Sequence, residues 1–287
     1  MTAEAATTVD IRAAALSDVP AIREILVAHG NDGAVVIAAI VGPYLVHLLG
    51  RGRAMVAVIE EVIVGFGAAV DAGRAVHLAD LFVRPDRLGQ GIGKALLSSV
   101  LAGADRRTTF ASEDPRALPL YVRAGMQPLW PSLYTQGPSS AVPAPGSSVE
   151  TAPAEPGELS ALEAAWTGFA RSADHAYWAG MAGSDGFVVR ADGAIAAFGY
   201  GRTRQAVPIR VLDRLVIHPD ADAIAVLFAA LRRAGQGGPV LVSLLGPNPA
   251  LRPLLEAGFR VVDRDEFLAS DPAVVDPFRF IPSPGML

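Results

Sequence analysis

Apolar and polar positions follow two periods along this chain, and their succession lays out its elements. Residues 9–14 alternate as a first strand, and Ser17 and Asp18 are N-cap candidates for a helix running to residue 27. Apolar segments at 34–40 and 44–49 predict a second helix split by Gly42-Pro43. Residues 54–59 and 62–70 are rich in β-branched and small apolar residues and flank Glu60-Glu61, the pattern of a hairpin. Residues 75–83 predict a buried strand, which Pro85 stops because proline cannot donate to a ladder. Ile92, Ala95, Leu96, Ser99 and Val100 then recur at helical spacing. A strand at 108–112, a short helix from Asp114 to a glycine C-cap at Gly125, and a strand at 126–130 complete the series.

Residues 137–157 break this rhythm. Pro138, Pro143, Pro145, Pro153 and Pro156 lie among Ser, Ala and Gly, the composition of a linker, with 149–152 readable as the first strand of a further unit. Beyond it the first half returns faintly. Leu215-Val216-Ile217-His218-Pro219-Asp220 echoes Leu81-Phe82-Val83-Arg84-Pro85-Asp86 at an offset of 134 (219 − 85). Ala250, Leu254, Gly258 and Phe259 echo Ala117, Tyr121, Gly125 and Met126 at 133 (258 − 125). Two landmarks within one residue of a common register imply duplication. The expected division is a first domain at 1–136, a linker at 137–148 and a second domain at 149–287.

Composition narrows the classes. With 51% hydrophobic and 18% charged residues the chain supports a substantial core. The absence of cysteine removes disulfides and thiolate metal sites and fits a reducing interior. No uninterrupted apolar run reaches the roughly 18 residues of a membrane span, and the N-terminus lacks a basic stretch followed by an apolar one. A net charge of −5 without a basic patch argues against nucleic acid. A soluble cytoplasmic protein is expected, with neither membrane nor nucleic-acid partners. The five histidines (29, 47, 77, 175, 218) show no metal-ligand spacing, so no metal is expected, and no G-x-S-x-G elbow occurs.

The chemistry concentrates in Leu88-Gly89-Gln90-Gly91-Ile92-Gly93-Lys94, between the strand at 75–83 and a helix. A helix start leaves N–H groups without internal partners and carries about half a positive charge, so glycines there leave a backbone anion site suited to pyrophosphate. Lys94 is the only lysine among 24 basic residues. A Walker A loop is excluded by Leu88 and Ala95, and a Rossmann fingerprint by the missing third glycine in register. The loop resembles motif A of the GNAT acetyltransferase superfamily, R/Q-x-x-G-x-G/A after a strand ending V-x-P, with Leu88 in place of the first Arg or Gln. The run from Asp114 to Met126 resembles motif B, with Asp for Asn and Met for Phe. The resemblance implies an α/β fold with a mixed sheet, arranged as two tandem GNAT-like (acyl-CoA N-acyltransferase) domains.

It further implies an N-acetyltransferase in which an amine attacks acetyl-CoA directly. Main-chain groups of Leu81, Phe82 and Val83 would hold pantetheine, and Leu88, Gly89, Gln90, Gly91, Ile92, Gly93 and Lys94 the pyrophosphate. Tyr121, in motif register, is the candidate acid toward the leaving thiolate, with packing under the loop as the alternative. Asp80 is the candidate base, with an exposed or ion-paired carboxylate on the strand as the alternative and Glu113 and Asp114 competing for the role. In the second half Ala221, Asp222 and Ala223 replace the glycine loop and Leu254 replaces Tyr121, so that half is expected to have lost acetyl-CoA. The expected partners are acetyl-CoA and a small-molecule or peptide amine, with a second copy of the chain as a candidate for homodimerisation. The alternative is a non-catalytic acyl-CoA-binding regulatory or structural protein.

Overall fold

The computed structural model describes residues 9–29, 34–112, 114–204 and 209–287, with backbone alone over 34–41. Glu113 lies outside the described residues. The first half runs β1 (Asp10–Ala13), α1 (Val19–His29), α2 (Ala34–Gly50), β2 (Ala54–Ile59), β3 (Val62–Asp71), β4 (Val76–Val83), α3 (Ile92–Val100), β5 (Arg107–Ala111), α4 (Ala117–Arg123) and β6 (Gln127–Pro138). The second half repeats this succession as β7 (Val149–Pro153), α5 (Pro156–Thr167), α6 (Ser172–Gly180), β8 (Asp185–Ala191), β9 (Ala194–Arg204), β10 (Ile209–Ile217), α7 (Ala223–Gly235), β11 (Pro239–Leu245), α8 (Leu251–Glu256) and β12 (Arg260–Ala269). A two-residue strand, β13 (Phe280–Ile281), follows. No helix among the described residues is long and apolar enough to cross a membrane.

Two local expectations change. α2 is one helix with Pro43 inside it, not two pieces. Proline removes one helical bond at a cost of about 3 kcal/mol, but the fully buried Leu45 and Leu48 hold the second half of the helix against the core. Asp18 does not cap α1. Its carboxylate turns back to accept from the Ala15 N–H at 2.8 Å and pairs with Arg12 at 2.7 Å, and a single 3-10 turn feeds the helix.

The chain divides into two compact units, the described residues up to Asp71 with Val76–Arg107, and Ala72–Ala75 with Thr108–Leu287. In the first, β1, β2, β3 and β4 form an antiparallel run, with Glu60 and Glu61 both at positive φ in a two-residue hairpin turn. α3 packs on β2, β3 and β4. Gly65 makes that packing close, since a Cβ there would stand 2.9 Å from the Leu96 side chain. Ile92 and Leu96 join Ala57, Ile59, Val64 and Val83 in the core.

In the second unit β7, β8, β9 and β10 repeat the antiparallel run, and β11 joins β10 in parallel. Beyond β11 the last strands of the two halves are exchanged. β6 pairs with β11 from Pro138 opposite Pro239 to Ser132 opposite Leu245, while β12 pairs with β5 from Thr108 opposite Ala269 to Ala111 opposite Glu266. β6 and β12 lie antiparallel to each other between these neighbours. The proline-rich stretch at 137–148 is ordered against this unit, and Val142 is buried in its main core beneath α7.

The duplication extends to irregularities. β3 skips Val64 in pairing with β2, and β9 skips Ala196 in pairing with β8, 132 residues later (196 − 64). β4 skips Ala79 against β3, and β10 skips Asp213 against β9, 134 later (213 − 79). Gly125 and Gly258 both end their helices at positive φ, and the same main-chain bond closes each turn, Met126 N–H to Tyr121 O at 3.2 Å and Phe259 N–H to Leu254 O at 3.0 Å.

Candidate active site

The glycine loop folds as the start of a helix without a side-chain cap. After β4 a 3-10 turn over Pro85–Arg87 leads to Gly89 at φ +79° and Gly91 at φ +81°, conformations that L side chains adopt at a cost of about 1–2 kcal/mol. Gly91 is the N-cap of α3 and has no side chain to return a hydrogen bond. The first helical bond is Ala95 N–H to Gly91 O at 3.1 Å, so the N–H groups of Ile92, Gly93 and Lys94 have no intrahelical acceptor. Ile92 is buried and Leu88 packs on the same apolar cluster, which leaves these two main-chain roles at the loop. Gln90 and Lys94 are exposed.

The equivalent helix of the second half is closed. Asp222 is the N-cap of α7, and its Oδ1 accepts from the N–H of Ile224 at 3.0 Å and of Ala225 at 3.1 Å. A carboxylate of the chain occupies the place where an anion would bind.

β4 presents its main chain alternately. Arg84 N–H bonds Val64 O at 2.8 Å, while Gly65 faces Val83, Phe66 faces Phe82 and Gly67 faces Leu81. Antiparallel pairs alternate between bonded and non-bonded, so the N–H and C=O of Leu81 and Val83 turn away from β3, whereas those of Phe82 face it. His29, at the end of α1, donates from Nε2 to the Val83 carbonyl at 2.7 Å, its ring 5.5 Å from that of Phe82. Nothing in the sequence around His29 signalled this bond, which spans 54 residues.

Asp80 follows the bulge at Ala79, a device that re-aims side chains next to functional sites. Its Oδ2 is sealed from solvent with no hydrogen-bond partner. Burial pushes its carboxyl up to about 6, against a lowering by the hydrogen bond from Tyr44 on α2. A carboxylate that titrates near neutrality suits a general base. Tyr44 was visible only as a tyrosine inside an apolar run. Asp114, the described competitor, is tied to Arg116 at 2.7 Å on the surface.

Tyr121 lies in the second unit, on α4, with 7% of its surface exposed. The remaining described candidates, Asp80 to Val83 and Leu88 to Lys94, share the first unit.

Arg214 stands where Asp80 stands, since Tyr200 opposite Arg214 repeats Ala68 opposite Asp80 across the same bulge. It is buried and donates from Nη2 to Glu163 Oε1 at 2.6 Å, and Glu163 Oε2 meets His175 Nε2 at 2.7 Å. Burial raises the Glu163 carboxyl, but Arg214, His175 and Arg171 outweigh it and hold the group at about 2. No free base remains at that position. Among the described residues no three His, Cys, Asp or Glu groups converge as a metal site.

Residues 50–127 match the family described as the acetyltransferase (GNAT) domain. Residues 50–127 thus carry the match to a GNAT domain, and the chain as a whole takes the GNAT fold, which tandem GNAT proteins share. It is similar to a proposed acetyltransferase from Pyrococcus horikoshii at 14% identity, with 97% of this chain and 94% of that one covered and a TM-score of 0.66. It is also similar to a GCN5-related N-acetyltransferase from Kribbella flavida at 14% identity, covering 93% and 72%, with a TM-score of 0.61. A tandem GNAT protein from the clavulanic acid biosynthesis pathway aligns at 16% identity over 92% and 99%, with a TM-score of 0.56. No curated protein matches in sequence.

Proposed function

We propose that the chain is an N-acetyltransferase that moves an acetyl group from acetyl-CoA to a primary amine by direct attack, with one working site in its first half. The observation that carries this reading is the contrast between two equivalent helix starts. α3 opens behind glycines, its first N–H groups without an intrahelical acceptor or a side-chain cap, while the Asp222 carboxylate caps α7. Acetyl-CoA supplies the thioester. The loop N–H groups and Lys94 hold its pyrophosphate, and the outward main-chain groups of Leu81 and Val83 pair with pantetheine and polarise the carbonyl. Asp80, poised near pH 6, takes the proton that the amine loses as its nitrogen bonds the acetyl carbon. Tyr121 gives a proton to the thiolate as the carbon–sulfur bond breaks. The second half, with Asp222 in its loop and Arg214 in place of the base, does not turn over.

Calorimetric titration with acetyl-CoA, followed by thiol release across a panel of primary amines, tests this. One site per chain and amine-dependent thiol release are expected. Two sites, or binding with no release on any amine, would move the chain to a non-catalytic acyl-CoA binder.

A further inference from the structure

The groove of the second half that corresponds to the acyl-CoA channel of the first is not empty. β10 and β11 stay paired only from Arg210 to Leu212, opposite Val240 to Val242. Past that point the chain's own tail lies on β10, with Ile281 opposite Leu215 and Phe280 opposite Val216. Ile217 N–H donates to Arg279 O at 3.0 Å. At the offset of 134, Leu215, Val216 and Ile217 correspond to Leu81, Phe82 and Val83, the stretch assigned to pantetheine.

The tail follows the rest of that path as well. Arg279 Nη1 donates to the carbonyls of His218 at 3.0 Å and Ala221 at 2.7 Å, in the segment that corresponds to the approach to the glycine loop. At the other end Arg171 Nη1 and Arg214 Nε donate to the Leu287 main-chain oxygen at 2.8 and 3.2 Å, at the position that corresponds to Asp80. Ser283 Oγ donates to Asp213 Oδ2 at 3.2 Å, on the bulge itself. Ile281, Met286 and Leu287 are buried to within 5%.

We propose that the second half has kept the acyl-CoA groove as a peptide-binding groove, and that residues 276–287 are its resident ligand. Main-chain pairing along β10 supplies affinity, as in strand addition to an open sheet edge, and the arginine contacts at both ends set register. The equation of the two grooves rests on the acetyl-CoA reading of the first half; the occupancy by the tail does not. A groove filled in this way needs no nucleotide, and Asp222 closes the place where one would begin.

Hydrogen exchange on the full chain tests the proposal through the Ile217 amide. Ile281→Pro removes an N–H from the β10 ladder, and exchange at Ile217 should rise at least tenfold. A synthetic peptide of residues 276–287 in excess should restore protection, the same peptide with Arg279→Ala at least fivefold less tightly, and a scrambled peptide not at all. Should Ile281→Pro fail to fold, Arg279→Ala in the full chain is read in the same way. Unchanged exchange in a folded variant, or equal rescue by the scrambled peptide, overturns the proposal. Acetyl-CoA stoichiometry is the separate arm, with one site expected in both wild type and variant. A second site in the variant would make the groove an occluded cofactor site instead, whereas no binding to either would refute only the reading of the first half.

Discussion

Asp80→Asn should make this protein more stable at alkaline pH while removing its activity. The Asp80 carboxyl is pushed up to about 6 from an ordinary value of 3.8, a difference of about 2.2 units, or about 3 kcal/mol at 1.36 kcal/mol per unit. Because the folded value lies above the unfolded one, folding takes up a proton between about pH 4 and 6. The penalty of keeping a buried carboxylate is absent below pH 4, grows through that window, and is complete above pH 6. The residue is only partly buried, so solvent reduces the figure to roughly 1–3 kcal/mol. At about 2–4 °C per kcal/mol for a chain of this size, the melting difference between variant and wild type should increase by roughly 2–12 °C from pH 4 to pH 8. The amide leaves a polar atom unpaired as well, at a cost that does not vary with pH, so the pH dependence is the diagnostic quantity. Acetyl transfer measured in single turnover should fall by roughly 10²–10⁴. A melting difference that stays flat from pH 4 to pH 8, or turnover within threefold of wild type, would refute the assignment of Asp80 as a buried base.

Gly91→Asp should abolish acetyl-CoA binding by calorimetry with the fold retained, since a Cβ there meets nothing within 4 Å, the left-handed backbone costs only about 1–2 kcal/mol, and the new carboxylate occupies the proposed anion site; undiminished affinity in a folded variant counts against the loop. Tyr121→Phe keeps the buried ring and should slow single-turnover acetyl transfer roughly 10²-fold or more with acetyl-CoA affinity unchanged, whereas a rate within threefold of wild type makes Tyr121 a packing residue. Glu163→Gln strands the buried Arg214 and should cost about 3–5 kcal/mol of stability at neutral pH. That difference should shrink as pH falls through about 4.5 toward 2, where Glu163 itself protonates, while acetyl-CoA stoichiometry stays at one. A chain ending at residue 136 should not fold alone, because β6 would lose both β11 and β12 and β5 would lose β12; a soluble, cooperatively melting fragment would contradict the strand exchange.

The parts legible in the sequence are those set by neighbouring residues. Gly89 and Gly91 announce a left-handed approach to an open helix start, Gly125 announces a helix end, and Glu60-Glu61 between two apolar runs announces a hairpin, because each is decided by a few consecutive dihedral angles. The repeat was visible for the same reason, as its landmarks are short and local, and Asp222 could be named as the obstacle in the second loop before its bonds to Ile224 and Ala225 were known. Pairing between distant segments was not legible. α2 runs through Pro43 because Leu45 and Leu48 are buried, which the residues around the proline do not encode. Phe280-Ile281, set among Pro277, Pro282 and Pro284, becomes a strand only because β10 and β11 part beyond Leu212. The exchange of β6 and β12 follows from which edges lie open once both halves are folded, and several pairings satisfy the same alternation of side chains. The site divides along the same line. The open helix start proposed to bind an anion is a property of seven consecutive residues, whereas the proton affinity of Asp80 depends on burial and on Tyr44 from another helix, and so exists only in the folded chain.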